Sequence, residues 1–176
     1  MKRNVALIGF MGVGKTAVGE ALAKKLGKKF VELDGLIEQK AGKTISDIFQ
    51  QDGEIAFREL EIEVVKEVSR GENQVIACGG GIVLNKINID RLREKSIIVY
   101  LTASPRVILK RTSADENKRP LLNIQDRARQ VRELVRFRRP FYERATDIKI
   151  DTSKLDVDSV SEQIILKLKE NEGFNR

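Results

Sequence analysis

A chain of 176 residues, 41 % of them hydrophobic, has the length of one domain and the apolar content for a sizeable core. Its single cysteine, Cys78, excludes an internal disulfide and suits a reducing compartment; no apolar run reaches the length that crosses a bilayer, so a cytoplasmic protein is expected. The net charge of +7 is local: residues 106–144 hold twelve Lys/Arg against five Asp/Glu, a surplus equal to that of the whole chain.

The chain opens on Lys2-Arg3 and the apolar run Val5–Ile8, long enough for one buried strand. Gly9, Gly12, Gly14 and Lys15 break that run, so it does not read as a secretory leader. Gly9-Phe10-Met11-Gly12-Val13-Gly14-Lys15-Thr16 fits G-x-x-x-x-G-K-[ST], and Ala17, Val18, Ala21, Leu22 and Leu26 follow at helical spacing. Strand, glycine loop and helix start are the context in which this pattern binds a nucleoside triphosphate. Glycines let backbone N–H groups curl around phosphate oxygens, and the helix start adds unpaired N–H groups and a positive dipole end. Lys15 supplies a point charge for the β- and γ-phosphates, and the Thr16 hydroxyl can ligate Mg²⁺.

A second strand is expected at Phe30–Leu33 and a helix at Asp34–Ala41. Alternation would put the Glu32 and Asp34 carboxylates on one side, at the strand end where many P-loop enzymes hold Mg²⁺. Helix capping by Asp34 is the compatible structural reading. Short helices are expected at Ser46–Gln50 and Glu54–Val68. The second has Phe57, Leu60, Val64, Val65 and Val68 on its apolar stripe, with Glu61 inside it and Arg58 at its edge. Glu54 and Glu61 lie four residues before and three after Arg58, so both can orient it, although a solvated surface grouping has the same spacing.

The third strand, Val75–Cys78, runs into Gly79-Gly80-Gly81, a costly run that makes sense if backbone lies against a ligand, or as a tight turn. Strands at Ile97–Leu101 and Ile148–Asp151 and helices at Pro105–Arg111, Asp126–Phe137 and Asp158–Lys169 complete the alternation. Such alternation predicts an α/β fold, a parallel sheet covered by helices on both faces, with ligands beyond the C-terminal strand ends.

Thr112–Lys118 is polar and aperiodic and reads as a mobile loop, and Arg119-Pro120-Leu121-Leu122 at its end suggests a lid. On a helix through 126–139, Arg129, Arg132, Arg136 and Arg139 form a surface stripe, while Arg138 falls with Ala128, Val131, Leu134 and Val135. An inward arginine needs an anion, from the protein or from a substrate. With only three aromatics in this basic segment, Phe137, Phe141 and Tyr142, and no tryptophan in the chain, a cradle for a compact polyanion is favoured over a nucleic-acid footprint.

Taken together, these motifs resemble the shikimate kinases over nearly the whole chain. The resemblance rests on the P-loop, the acidic pair before Leu36-Ile37-Glu38, Ile48-Phe49 with Gly53-Glu54 and Phe57-Arg58-x-x-Glu61, the three glycines, Arg119-Pro120-Leu121-Leu122 and Arg138-x-Pro140-x-Tyr142. It implies a three-layer P-loop kinase fold with five parallel strands, a single domain over 1–176 with a lid near 112–124 and a substrate-binding helical region near 34–62. It also implies ATP and Mg²⁺ as cofactors and phosphorylation of the 3-hydroxyl of shikimate on the route to chorismate and the aromatic amino acids. A monomer is expected, with neither nucleic acid nor membrane as partner. By the same resemblance Arg58 and Arg138 would grip the substrate carboxylate. Asp34 would hold its hydroxyls, beside the backbone of Gly79, Gly80 and Gly81. Gly12, Val13, Gly14, Lys15, Thr16 and Ala17 would cradle the phosphates, Lys15 and Arg119 would neutralise the transferring group, and Arg111, Ser153 and Lys154 would flank adenine. Thr16 would bind the metal directly, Glu32 and Asp34 through water. Glu32 departs from the family pattern, which usually has Asp there. A kinase of another hydroxy-acid such as gluconate, or a non-enzymatic nucleotide-dependent binding module, would share the ATP half but not the Arg58/Asp34/Arg138 set.

Overall fold

The computed structural model describes residues 2–112, 126–171 and 173–174. Five parallel strands, β1 (Asn4–Ile8), β2 (Lys29–Glu32), β3 (Gln74–Ala77), β4 (Ser96–Thr102) and β5 (Ile148–Asp151), form one sheet in the order β2-β3-β1-β4-β5. β1 is central, with Val5 in register with both Val75 and Ile97, and its residues are wholly buried. A strand covered on both faces needs no polar alternation, which is why Val5–Ile8 reads as a continuous apolar run.

Helices cover both faces. Val5 and Leu7 pack with Val18 and Leu22 of α1 (Lys15–Leu26) and Val160, Ile164 and Leu168 of α8 (Val157–Glu170). Ala6 and Ile8 pack instead with α2 (Leu33–Ala41), α3 (Ile45–Gln51), α4 (Gly53–Val68) and α5 (Lys86–Lys95), through Ile37, Ile48, Val64 and Leu92. α6 (Pro105–Thr112) adds Ile108 to the first layer. α7 (Arg127–Ala145) gives Val131 to the first and Tyr142 and Ala145 to the second. This is a three-layer α/β architecture with helices on both faces of a parallel sheet.

Four expectations need correction. Leu33 starts α2 instead of ending β2. The helix α5 has no counterpart in the sequence reading, because its inward face offers only Ile89 and Leu92 beside the buried Asn88, too little for a periodic signal. The seventh helix does not stop before Pro140 but runs through it to Ala145. Proline there removes one backbone hydrogen bond, and the burial of Tyr142 (1 % exposed) and Ala145 on the sheet offsets the loss. Thr112 belongs to α6, not to the loop: it is buried, and its hydroxyl donates to the Ile108 carbonyl at 2.8 Å. Residues 113–125, which hold the rest of the expected lid and Arg119, lie outside the described residues.

Candidate functional site

All strands being parallel, their C-terminal ends share one edge. There β1 leads into the P-loop, β2 into Glu32 and Asp34, β3 into the three glycines and β5 into Thr152.

The P-loop turns on Gly12 (φ 78°) and Gly14 (φ 99°), both in the left-handed region that side chains disfavour. Gly14 caps α1 with no side-chain hydrogen bond, and the first helical bond runs from the Val18 N–H to the Gly14 carbonyl. The N–H groups of Lys15, Thr16 and Ala17 precede that first helical bond and make up the positive end of the helix dipole, a fit to phosphate. Lys15 Nζ donates to the carbonyls of Gly9 (2.8 Å) and Phe10 (3.0 Å), which hold it against the loop.

Thr152, which the sequence reading missed, fastens this loop from the far side. It is buried, and its hydroxyl lies 2.9 Å from the Val13 carbonyl and 3.1 Å from that of Thr102. Arg111 donates to Gly12 O (3.3 Å), Val13 O (3.4 Å) and both Thr152 oxygens (3.0 and 3.1 Å). Its guanidinium edge is thus committed to bracing the P-loop, while the residue as a whole stays exposed. Ser153 and Lys154 follow in the same turn, and the Ser153 hydroxyl accepts from Ser104 N–H at 2.9 Å. A lone threonine after a strand gives no sequence signal of such a role.

On the β2 side, the Thr16 hydroxyl donates to Glu32 Oε1 at 2.6 Å, so the longer acid does reach the P-loop. Asp34 sits in the first turn of α2 and is not its N-cap, a position taken by Glu32 without a side-chain bond. The capping alternative for Asp34 therefore falls. Burial raises its pKa; Lys15 and Arg58 pull it down, while Glu32 and Glu38 push it up. Among the described residues no three carboxylate, His or Cys groups converge as a metal cage. Thr16 and Glu32 offer oxygen atoms of the kind that Mg²⁺ takes beside phosphate oxygens and water.

The glycine run is where the remaining candidates meet. A Cβ on Gly79 would lie 2.9 Å from Asp34 Oδ1 and 3.3 Å from Glu61 Oε2. One on Gly80 would lie 3.5 Å from the Met11 nitrogen and 3.6 Å from Arg138 Nη1, and one on Gly81 2.6 Å from Arg58 Cζ. Each glycine thus admits a different functional side chain. The segment is also a turn, since Ile82 N–H donates to Gly79 O at 3.2 Å and a 3-10 turn follows at Ile82–Leu84.

Arg58 is held as its spacing suggested, 3.2 Å from Glu54 and 3.0 Å from Glu61. Glu61 is only 1 % exposed, which rules out a solvated grouping; burial raises its pKa while Arg58 lowers it. Arg138 is 4 % exposed in the second half of α7, whereas Arg129, Arg132, Arg136 and Arg139 remain at the surface. Arg138 Nε and Glu61 Oε2 are buried without a hydrogen-bond partner among the described residues. A buried guanidinium N–H aimed at nothing is costly unless an anion completes it.

A family model for shikimate kinase matches residues 11–169. A shikimate kinase of Caldanaerobacter subterraneus subsp. tengcongensis is 44 % identical over 170 residues, 95 % of this chain and 98 % of that one. That of Thermodesulfovibrio yellowstonii is 45 % identical over 163 residues, 93 % of each chain. The solved shikimate kinase of Acinetobacter baumannii in complex with shikimate superposes with a TM-score of 0.93 at 34 % identity, covering 98 % of this chain and 96 % of that one. A gluconokinase structure from Sinorhizobium meliloti reaches a TM-score of 0.56 at 16 % identity, a likeness of fold alone. With its P-loop, its paired arginines and its glycine run in one edge of the sheet, the chain belongs to the shikimate kinase family.

Proposed function

We propose that the chain transfers the γ-phosphoryl group of ATP to the 3-hydroxyl of shikimate, on the route to chorismate and the aromatic amino acids. The observation that carries this reading is the convergence of Arg58, Asp34 and the unsatisfied Arg138 on one glycine run beside the P-loop. A carboxylate clamp and a hydroxyl acceptor a few ångströms from a phosphate cradle suit a hydroxylated carboxylic acid, and a nucleotide-binding module has no use for them.

ATP with Mg²⁺ supplies the activated phosphoryl group and the divalent charge that neutralises it. The protein's part is positioning and charge. The α1 N–H groups from Lys15 to Ala17, with the backbone of Gly12, Val13 and Gly14, hold the phosphates. Lys15 exchanges its P-loop carbonyls for phosphate oxygens. Thr16 would hold the metal directly, in place of its bond to Glu32, and Glu32 and Asp34 would hold it through water. Arg111, Ser153 and Lys154 flank the base. Arg58 and Arg138 hold the substrate carboxylate, and Asp34 accepts a hydrogen bond from the hydroxyl. In the transfer, the hydroxyl oxygen bonds to the γ-phosphorus, the bridge to the β-phosphate breaks, and the hydroxyl proton leaves through Asp34 or water. Arg119 neutralises the group in transit. The chain works as a cytoplasmic monomer in one domain, without nucleic acid or membrane. No helix among the described residues is long and apolar enough to span a bilayer.

Purified protein given Mg-ATP and a panel of hydroxy-acids tests the reading. ADP release with shikimate and a 3-phosphate product by phosphorus NMR are expected. Turnover of gluconate with none of shikimate would transfer the assignment to the neighbouring kinase class.

A further inference from the structure

Arg138 lies in a helical turn that lacks one backbone hydrogen bond. Pro140, two residues on, has no N–H to give to the Arg136 carbonyl, so α7 is locally loosened where it carries the buried guanidinium. Tyr142 stands one turn beyond, four residues from Arg138 and on the same side of the helix. Its ring is 1 % exposed and stacked on Tyr100, with centroids 4.9 Å apart and planes 16° apart, so its hydroxyl is placed by the core. That hydroxyl donates to the Gly80 carbonyl in a short hydrogen bond. Burial raises the Tyr142 pKa, and the positive charge of Arg138 works against the rise. Gly80 in turn packs on Met11 of the P-loop and on Arg138.

We propose that Tyr142 is a positioning residue for the acceptor substrate: its hydroxyl fixes the Gly80 backbone, against which the Arg138 guanidinium lies, before the substrate arrives. The proposal rests on the shikimate kinase reading. It gives the inner end of the clamp what Glu54 and Glu61 give the outer end, an anchor that sets orientation in advance. Without it, the carboxylate would have to order both the loosened turn of α7 and the glycine backbone on binding, which weakens affinity.

Tyr142→Phe removes the hydroxyl and keeps the stacked ring, so the fold survives. The shikimate KM, and the Kd from calorimetry, should rise about tenfold, the upper end for the loss of one hydrogen bond. The ATP KM should stay within about twofold, a split that a purely structural role would not produce. Tyr100→Phe, which alters the stacking partner and leaves the Tyr142 hydroxyl in place, should leave both KM values unchanged. In a double-mutant cycle with Arg138→Lys the two losses should be less than additive. A normal shikimate KM in Tyr142→Phe with only a lowered Tm overturns the proposal, as does strict additivity. Failure of the unmodified protein to phosphorylate shikimate would instead strike the functional reading beneath it.

Discussion

Gly81→Ala tests the substrate clamp without replacing a charged residue. Gly81 has φ −97° and ψ 1°, which alanine adopts without strain. The added methyl would lie 2.6 Å from Arg58 Cζ, whereas ordinary contact begins at 3.4 Å. The guanidinium must therefore withdraw by about 1 Å, a step that its long side chain allows but its partners resist. Those partners are Glu54 at 3.2 Å and the buried Glu61 at 3.0 Å. Breaking one charge-assisted bond costs about 1.5–3 kcal/mol, and a misplaced binding group about 100-fold at most. The expected result is a shikimate KM raised about 10- to 100-fold, an ATP KM within about twofold, and a Tm lower by a few degrees. Initial rates from ADP release, with shikimate varied at saturating ATP, measure it. An unchanged shikimate KM would mean that Arg58 does not act from where it stands, and the clamp argument would fail.

Arg138→Lys keeps the charge but loses the planar fork, so kcat/KM for shikimate should fall at least tenfold while ATP binding persists; a normal KM would make Arg138 structural. Glu32→Gln should raise the Mg²⁺ needed for half-maximal rate about 10–100-fold with shikimate binding nearly intact, whereas Asp34→Asn should damage shikimate binding; parent-like titration of Glu32→Gln would leave Glu32 a bystander. Arg119→Ala should lower kcat far more than ATP affinity, and the reverse pattern in single-turnover and binding measurements would sink its assignment. Because burial raises the Asp34 pKa, activity should fall with decreasing pH already above the ordinary carboxylate value of about 4, and Asp34→Asn should lack that limb. The native state then binds more protons than the unfolded one between the two pKa values, so stability falls as pH rises through that window. Asp34→Asn should accordingly gain Tm relative to the parent at pH 7 more than at pH 4; an equal difference at both would refute the raised pKa.

The chemistry of this protein was legible along the chain wherever it depends on neighbours in sequence. The P-loop is eight consecutive residues whose backbone does the work, and its strand and helix lie on either side. The Glu54/Arg58/Glu61 grouping follows from helical spacing, which places i, i+3 and i+4 on one face. Arg138 among apolar positions is the same argument applied to α7. Where local order is weak, the sequence misled. Leu33 suits either a strand or a helix; β2 ends at Glu32 and α2 takes Leu33, which is wholly buried. Pro140 reads as a stop, and only the burial of Tyr142 and Ala145 carries α7 past it. Helix α5 is too polar to announce itself and forms by packing on the rest. What tertiary structure alone decided is long-range. Thr152 and Arg111 grip the carbonyls of a loop more than ninety residues earlier, with |i−j| of 139 for Thr152 and 98 for Arg111 at Val13. Tyr142 reaches Gly80 across 62 positions. Such bonds need only a donor and a carbonyl at the right place, and every residue has a carbonyl, so no residue pattern can encode the partner.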